Sequence, residues 1–181
     1  MSRITEREAR CRVYTFKEGL LSAVAHDLEI EVSRFWIESP DDGSRVTAEM
    51  DARSLRVISA MSDGRPNPSA LSDKDKRKIE QTIVDDVLVA SRHPAVRFEG
   101  TLTWTSGVPR VEGTLTLAGR SRAQHVEVTV DGGELVARAS IHQPDYGIAP
   151  YSAMLGTLKI KADVRVEVRV PEAHRPIAQR P

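Results

Sequence analysis

The chain has 181 residues, with 26 Lys and Arg set against 26 Asp and Glu, for a formal charge of zero. With no basic excess to neutralise phosphates, this balance excludes a nucleic-acid binder that works by broad electrostatics. The length fits one domain with a substantial core, or with a core that encloses a cavity.

The single cysteine, Cys11, has no second thiol to pair with and reads as a small buried apolar residue, so nothing requires an oxidising compartment. The N-terminus, M-S-R-I-T-E-R-E-A-R, lacks the apolar core of a signal peptide, and no later run approaches the ~18–20 apolar residues of a membrane span. A cytoplasmic protein with no integral membrane segment is expected. The organisation reads as a polar segment over 1–10, one domain over 11–170 and a disordered tail over 171–181.

In chain order, Val13 to Lys17 is a short strand, and Leu20 to Ala25 is apolar and ambiguous between a helical turn and a strand. From Leu28 the pattern alternates, with Leu28, Ile30 and Val32 on one face, until Phe35 and Ile37 shift the phase. A bulge near Ser33-Arg34 would produce that shift. After the turn S-P-D-D-G-S, Val46 to Ala52 places Val46, Ala48, Met50 and Ala52 on one face. Ser59 to Ser72, with its prolines and glycine, reads as a mobile loop. It leads into one helix, Asp73 to Ala90, capped by Ser72, with the stripe Ile79, Ile83, Val84, Val87 and Leu88.

Four strands follow: Val96 to Trp104, Val111 to Leu117, Val126 to Val130 and Leu135 to Ile141. The last two are joined by V-D-G-G-E, the strongest hairpin signal in the chain. The loop H-Q-P-D-Y-G-I-A-P-Y-S-A-M-L-G precedes a long run, Leu158 to Val170, in which every even position is apolar and every odd one charged. At roughly 3.3 Å per residue such a strand would reach about 43 Å, too long to lie flat in a small sandwich, so it must coil with a barrel. The expected fold class is all-β with one inserted helix, an antiparallel barrel of about eight strands.

The inward faces are aliphatic and small, with glycine at 100 and 113 and alanine at 48, 52, 137, 139 and 162. Two readings are open, an elongated apolar cavity that holds one ligand or an ordinary packed core.

Four stretches resemble the YceI family, the lipocalin-like barrels associated with polyisoprenoid binding. They are A-H-D-L-E-I-E-V-S-R-F, R-H-P-A-V-R-F-E-G-T-L, V-E-G-T-L-T-L-A-G-R-S-R-A-Q-H-V-E-V and Q-P-D-Y-G-I-A-P, in the family's order and spacing from about Val13 to Val170. Two elements depart from the family pattern. The family's R-D-x-H-L segment is not recognisable around Lys74 to Ile83, and Arg120-Ser121-Arg122 replaces the threonine of its hairpin turn. The resemblance implies an extended lipocalin-like barrel with a hydrophobic tunnel, and lipid binding rather than catalysis.

The expected ligand-binding residues are Leu28, Ile30, Met50, Phe98, Leu102, Trp104, Leu115 and Leu117 inside, with Ile148 and Tyr151 at the mouth. His26 matches the family's histidine and is placed near a polar end; a strand-end histidine bonded to backbone is the plainer reading. The ligand partner is a polyisoprenoid or fatty-acyl lipid, with no nucleic acid, no cofactor and no metal. His26, His93, His125, His142 and His174 have no metal-ligand spacing. A homodimer is among the assemblies the sequence admits. The rival readings are a barrel enzyme with His142 and Tyr146 as acid and base, and a filled-core interaction module.

Overall fold

The computed structural model describes residues 2–18, 26–40, 44–105, 108–153 and 158–174. Its strands are β1 (Ser2–Thr5), β2 (Arg10–Thr15), β3 (Asp27–Val32), β4 (Phe35–Ser39), β5 (Arg45–Asp51), β6 (Leu55–Ser62) and β7 (Arg65–Asn67). After the helix α1 (Asp73–Thr82) come β8 (Ala95–Thr105), β9 (Val108–Leu117), β10 (Arg120–Asp131), β11 (Glu134–His142), β12 (Ser152–Ala153), β13 (Leu158–Lys159) and β14 (Asp163–Pro171). Twelve of them form one antiparallel sheet in the order β1-β4-β5-β8-β9-β10-β11-β14-β2-β3-β6-β7, and β12 and β13 make a separate ribbon. The sheet curls into a half-barrel, so the all-β class with one helix holds, with more strands than the alternation suggested.

Three extra strands come from segments without clean alternation. β1 lies in the polar segment over 1–10 and pairs with β4, Ile4 opposite Ile37. β6 and β7 occupy part of the segment read as a loop. Leu55, Val57 and Ser59 alternate into the core, and the chain reverses at Asp63-Gly64, both at positive φ (50° and 74°). Asp-Gly is the pair that a two-residue hairpin turn demands. Pro66 is tolerated because β7 is an edge strand that needs no second ladder.

The phase change at Ser33-Arg34 is a corner where the chain changes partners, not a bulge. β3 pairs with β2 and β6, and β4 pairs with β1 and β5. Buried Ser54 ties the corner together. Its carbonyl accepts from Ser33 N–H at 3.0 Å, and its Oγ accepts from Arg34 N–H at 3.1 Å and donates to Asp51 C=O at 2.8 Å. A register shift does occur between Glu29 and Ile30 against β6, where Ile58 has no opposite residue.

α1 begins as the sequence indicates. Ser72 Oγ accepts from Asp75 N–H at 3.2 Å, and Asp75 returns a bond to Ser72 N–H at 3.1 Å, a capping box. That bonding to Ser72 holds the Asp75 carboxyl below its ordinary range. The α-helix stops at Thr82, and Ile83–Val87 form a wider π turn, with Leu88 N–H bonded to Ile83 C=O at 2.9 Å. Two side chains of α1 serve the edge of β6: Glu80 accepts from Val57 N–H at 2.8 Å and Lys76 donates to Ile58 C=O at 2.9 Å. Ile79 and Ile83 pack on one core cluster, around Ile30 and Phe35, and Leu88 on that cluster and on a second around Leu115 and Tyr146.

The final run is not one strand. Leu158 pairs with Ala153, Ile160 bridges Lys17, and only from Asp163 does the chain join the main sheet between β11 and β2. Its alternation survives the change of partners, since Leu158, Ile160, Val164, Val166, Val168 and Val170 all face the interior. The Val126 to Val130 strand is longer than expected. Only Ala118-Gly119 forms the preceding turn (φ 49° and 74°), and Arg120 already pairs with Leu117. At the C-terminus, Pro171 ends β14 and Glu172–His174 form a 3-10 turn. The apolar segment Leu20 to Ala25, Met154 and Leu155 of the loop before the final run, and the tail over 175–181 lie outside the described residues.

Candidate functional site

The curled sheet encloses a cavity of about 660 Å³, within the ~300–1,000 Å³ of small-molecule sites. Strand alternation builds its wall. Each strand turns one face inward, so residues such as Val13 on β2, Val111 on β9 and Val128 on β10 meet across it. The face of α1 adds Ile79, and the turn beyond it adds Ile83, Val87 and Leu88.

Ten of the expected ligand-binding residues face this one space: His26, Leu28, Ile30, Met50 and Phe98, together with Leu102, Leu115, Leu117, Ile148 and Tyr151. Trp104 is not among the described residues lining it. It lies on the same strand face as Leu102 but one step nearer the strand end, opposite Pro109.

The glycines at 100 and 113 do not open space as their size suggests. They face each other across β8 and β9, and the Phe98 ring lies on them. A Cβ on Gly100 would stand 2.8 Å from the ring, and one on Gly113 would meet it at 2.6 Å and Glu99 C=O at 2.4 Å. Ala48, Ala137 and Ala139 do border the cavity.

Polar groups interrupt the wall at a minority of positions, and several are already bonded. Gln143 donates to Lys161 C=O at 3.2 Å and Ala162 C=O at 3.3 Å, and Gln124 donates to Ser140 C=O at 3.2 Å. Asp51 pairs with Arg34 at 2.8 Å. Thr15 Oγ1 is shielded from solvent and has no hydrogen-bond partner among the described residues. His174, expected in an inert tail, borders the cavity near Val170.

The rival acid and base residues do not converge. His142 is exposed and bonded to Asp163 at 2.9 Å. Tyr146 is buried in the cluster with Leu115, Leu117, Ile141 and Ile148, and burial, with help from Asp145, raises its phenol above the ordinary value. Neither lines the cavity. Among the described residues no group of three His, Cys, Asp or Glu could hold a metal ion. Cys11 is 1% exposed, and burial pushes its thiol up to about 12, leaving it un-ionised at neutral pH.

The outer face of β2, β14 and β11 carries an ion-pair network. Glu167 accepts from Arg138 at 2.8 Å and Arg169 at 2.7 Å, Arg169 also reaches Glu134 at 3.1 Å, and Arg12 bonds Glu29 and Glu31. Burial opposes ionisation of Glu167, yet the two arginine bonds prevail and hold its carboxyl below the ordinary range.

A curled antiparallel sheet around an apolar cavity defines a lipocalin-like barrel protein. The sequence matches the YceI-like domain over residues 9–171, and the chain belongs to that family. Among solved structures it is similar to BcnA of Burkholderia cenocepacia, at 14% identity and a TM-score of 0.58, covering 90% of this chain and 94% of that one. It is also similar to a polyisoprenoid binding domain from Saccharophagus degradans implicated in plant cell wall breakdown, at 11% identity and a TM-score of 0.54, with the same coverage. At these identities the likeness shows the fold. No curated protein matches. Among the described residues no helix is long and apolar enough to cross a membrane.

Several lining residues escaped the sequence reading: Val13, Thr15, Ile79, Leu88 and the inward valines of β14. The alternation Cys11, Val13, Thr15 was a usable signal for the first two. For the helix, the stripe was visible but not the surface it would face.

Proposed function

We propose that this chain binds a long apolar molecule, a polyisoprenoid or a fatty-acyl lipid, in its barrel cavity and acts as its carrier or sequestering protein. One observation carries this reading: a cavity of about 660 Å³ walled almost throughout by aliphatic side chains. Each ligand methylene buried there gains about 0.8 kcal/mol, so chain length alone supplies affinity. The structural likeness to the polyisoprenoid binding domain from Saccharophagus degradans favours an isoprenoid over an acyl chain. His26, Leu28, Ile30, Met50, Phe98, Leu102, Leu115, Leu117, Ile148 and Tyr151 are the contacts we assign. We place its work in the cytoplasm, where a buried, un-ionised Cys11 is stable as a thiol.

The test is native mass spectrometry of protein purified without detergent, followed by organic extraction and identification of what is released. One stoichiometric apolar compound, or uptake of an added isoprenoid or fatty acid, is expected. Apo protein that takes up neither sinks the reading.

A further inference from the structure

Phe98 stands where the cavity wall continues in both directions along its strand. In register with it, Ala48 on β5 and Leu115 on β9 line the cavity. To one side the wall runs on to the pair Leu102 and Val111, and to the other to the pair Val96 and Met50. The ring does not stand out across this passage, because its outer carbons lie along the wall over the paired glycines, Gly100 and Gly113. Glycine weakens a strand interior, and two in register weaken the same point of the sheet twice. The two positions are not equivalent. A Cβ on Gly113 would meet fixed backbone, Glu99 C=O at 2.4 Å and Gly100 Cα at 2.7 Å. A Cβ on Gly100 would first meet the outer carbons of the Phe98 ring, at 2.8 Å, and then Glu112 C=O at 3.0 Å. A ring can turn about its side-chain torsions where backbone cannot, and the half-buried Phe98 has the cavity on its inner side.

We infer that Phe98 sets the length of ligand the cavity accepts: seated on Gly100 and Gly113 its ring leaves one continuous passage for a single long chain, and displaced from that seat it divides the passage in two. This rests on the proposed function and adds the residue that selects a long chain over a short one. The seat is needed because a phenyl ring on an inward strand face otherwise projects from the sheet, and here it would project into the cavity. The glycines supply the only direction in which the ring can lie flat without meeting a neighbouring Cβ, since Ala48 and Leu115 occupy the register positions on either side. A long ligand therefore runs past Phe98 and touches the wall on both sides of it. A short one needs only one side and gains nothing from the seat.

The experiment uses the full chain, with geranylgeraniol as the long probe and geraniol as the short one. Gly100→Ala should fold, because the evicted ring has the cavity to enter, and should bind geranylgeraniol about 50-fold more weakly, the loss of roughly three buried methylenes. Geraniol binding should change by less than about threefold, under one methylene. Adding Phe98→Leu, which keeps an apolar side chain but removes the ring, should return geranylgeraniol binding to the level of Phe98→Leu alone, a rescue that a merely weakened sheet would not show. Nuclear Overhauser contacts from the Phe98 ring to the Gly113 α-protons should be present in wild type and lost in Gly100→Ala. The assignment is overturned if Gly100→Ala does not fold, keeps those contacts, binds geranylgeraniol as wild type does, loses both probes alike, or is not rescued. If wild-type protein binds neither probe, the carrier reading itself fails, and the Overhauser contacts alone still decide whether the ring holds its seat.

Discussion

Ala137→Phe separates a hollow barrel from a filled one by the sign of its effect. Ala137 sits in register between Val128 on β10 and Val168 on β14, and all three face the cavity. In a packed core, forcing in a ring would cost about 1–3 kcal/mol. In a cavity of about 660 Å³ the ring enters free space, and burying it there gains about 1.5–3 kcal/mol relative to exposure. Taking about 2 kcal/mol as the gain, the melting temperature of a chain this size should rise by roughly 4–8 °C. The same ring removes ligand space. If it excludes four methylenes at about 0.8 kcal/mol each, affinity for a full-length apolar ligand falls by roughly 200-fold. Differential scanning calorimetry of ligand-free protein gives the first number, and titration with a fluorescent polyene fatty acid gives the second. A variant that melts lower than wild type and still binds would refute both the free volume and the assigned wall.

Three further perturbations test the frame around the cavity. Gly113→Ala should destabilise by more than about 3 kcal/mol, the upper range of overpacking, because its Cβ would meet Glu99 C=O at 2.4 Å and Gly100 Cα at 2.7 Å; urea denaturation measures it, and a near-neutral result would refute the Phe98-on-glycine packing. Ser72→Ala removes the capping box of α1 and should cost about 1 kcal/mol, seen as a fall of roughly 2–4 °C in melting temperature. Glu167 has a folded pKa depressed from its ordinary 4.5. Its contribution is therefore present above that value and lost as pH falls through the depressed one. Glu167→Gln should flatten the decline of stability below about pH 4.5, measured as denaturation midpoint against pH; an unchanged decline would show that other carboxylates dominate.

Alternation made much of this fold legible. Leu28, Ile30 and Val32, and Leu158, Ile160, Val164, Val166, Val168 and Val170 of the final run, face inward as their period requires. Partners were not legible, because period two says which face is buried and nothing about which strand lies alongside. That is why the last run divides at Ile160 without losing its face, and why a corner at Ser33-Arg34 resembled a bulge. β6 and β7 were hidden by composition: Ser59 is buried as an alcohol bonded to Ala60 C=O at 2.7 Å, and Pro66 is permitted only because its strand is an edge. At the site, most aliphatic contacts could be named from the strand face alone. Trp104 differs from the other ten in not lining the cavity among the described residues, and the reach of a cavity along a strand face depends on where neighbouring strands stop. Gly100 and Gly113 misled, since small residues mark either free space or a neighbour's ring, and only the contact with Phe98 decides between them.

The void itself argues for an occupant. Cavities left by side-chain truncation cost about 24 cal/mol per Å³. A space of about 660 Å³ is several times the ~150 Å³ of an engineered truncation cavity. Such a space is not a minor flaw that a better side chain was about to repair. Ala137 and Ala139 border it, and Ile141 and Leu135 on the same strand show that bulkier residues fit the same face. The helix α1 and the turn beyond it repeat the pattern, offering Ile79 and Leu88 to the void, and α1 buries no residue fully. Water that enters this largely apolar space finds few polar partners and cannot restore the lost contacts. A long apolar ligand can, and its loading should therefore raise the stability of the whole barrel in proportion to its occupancy.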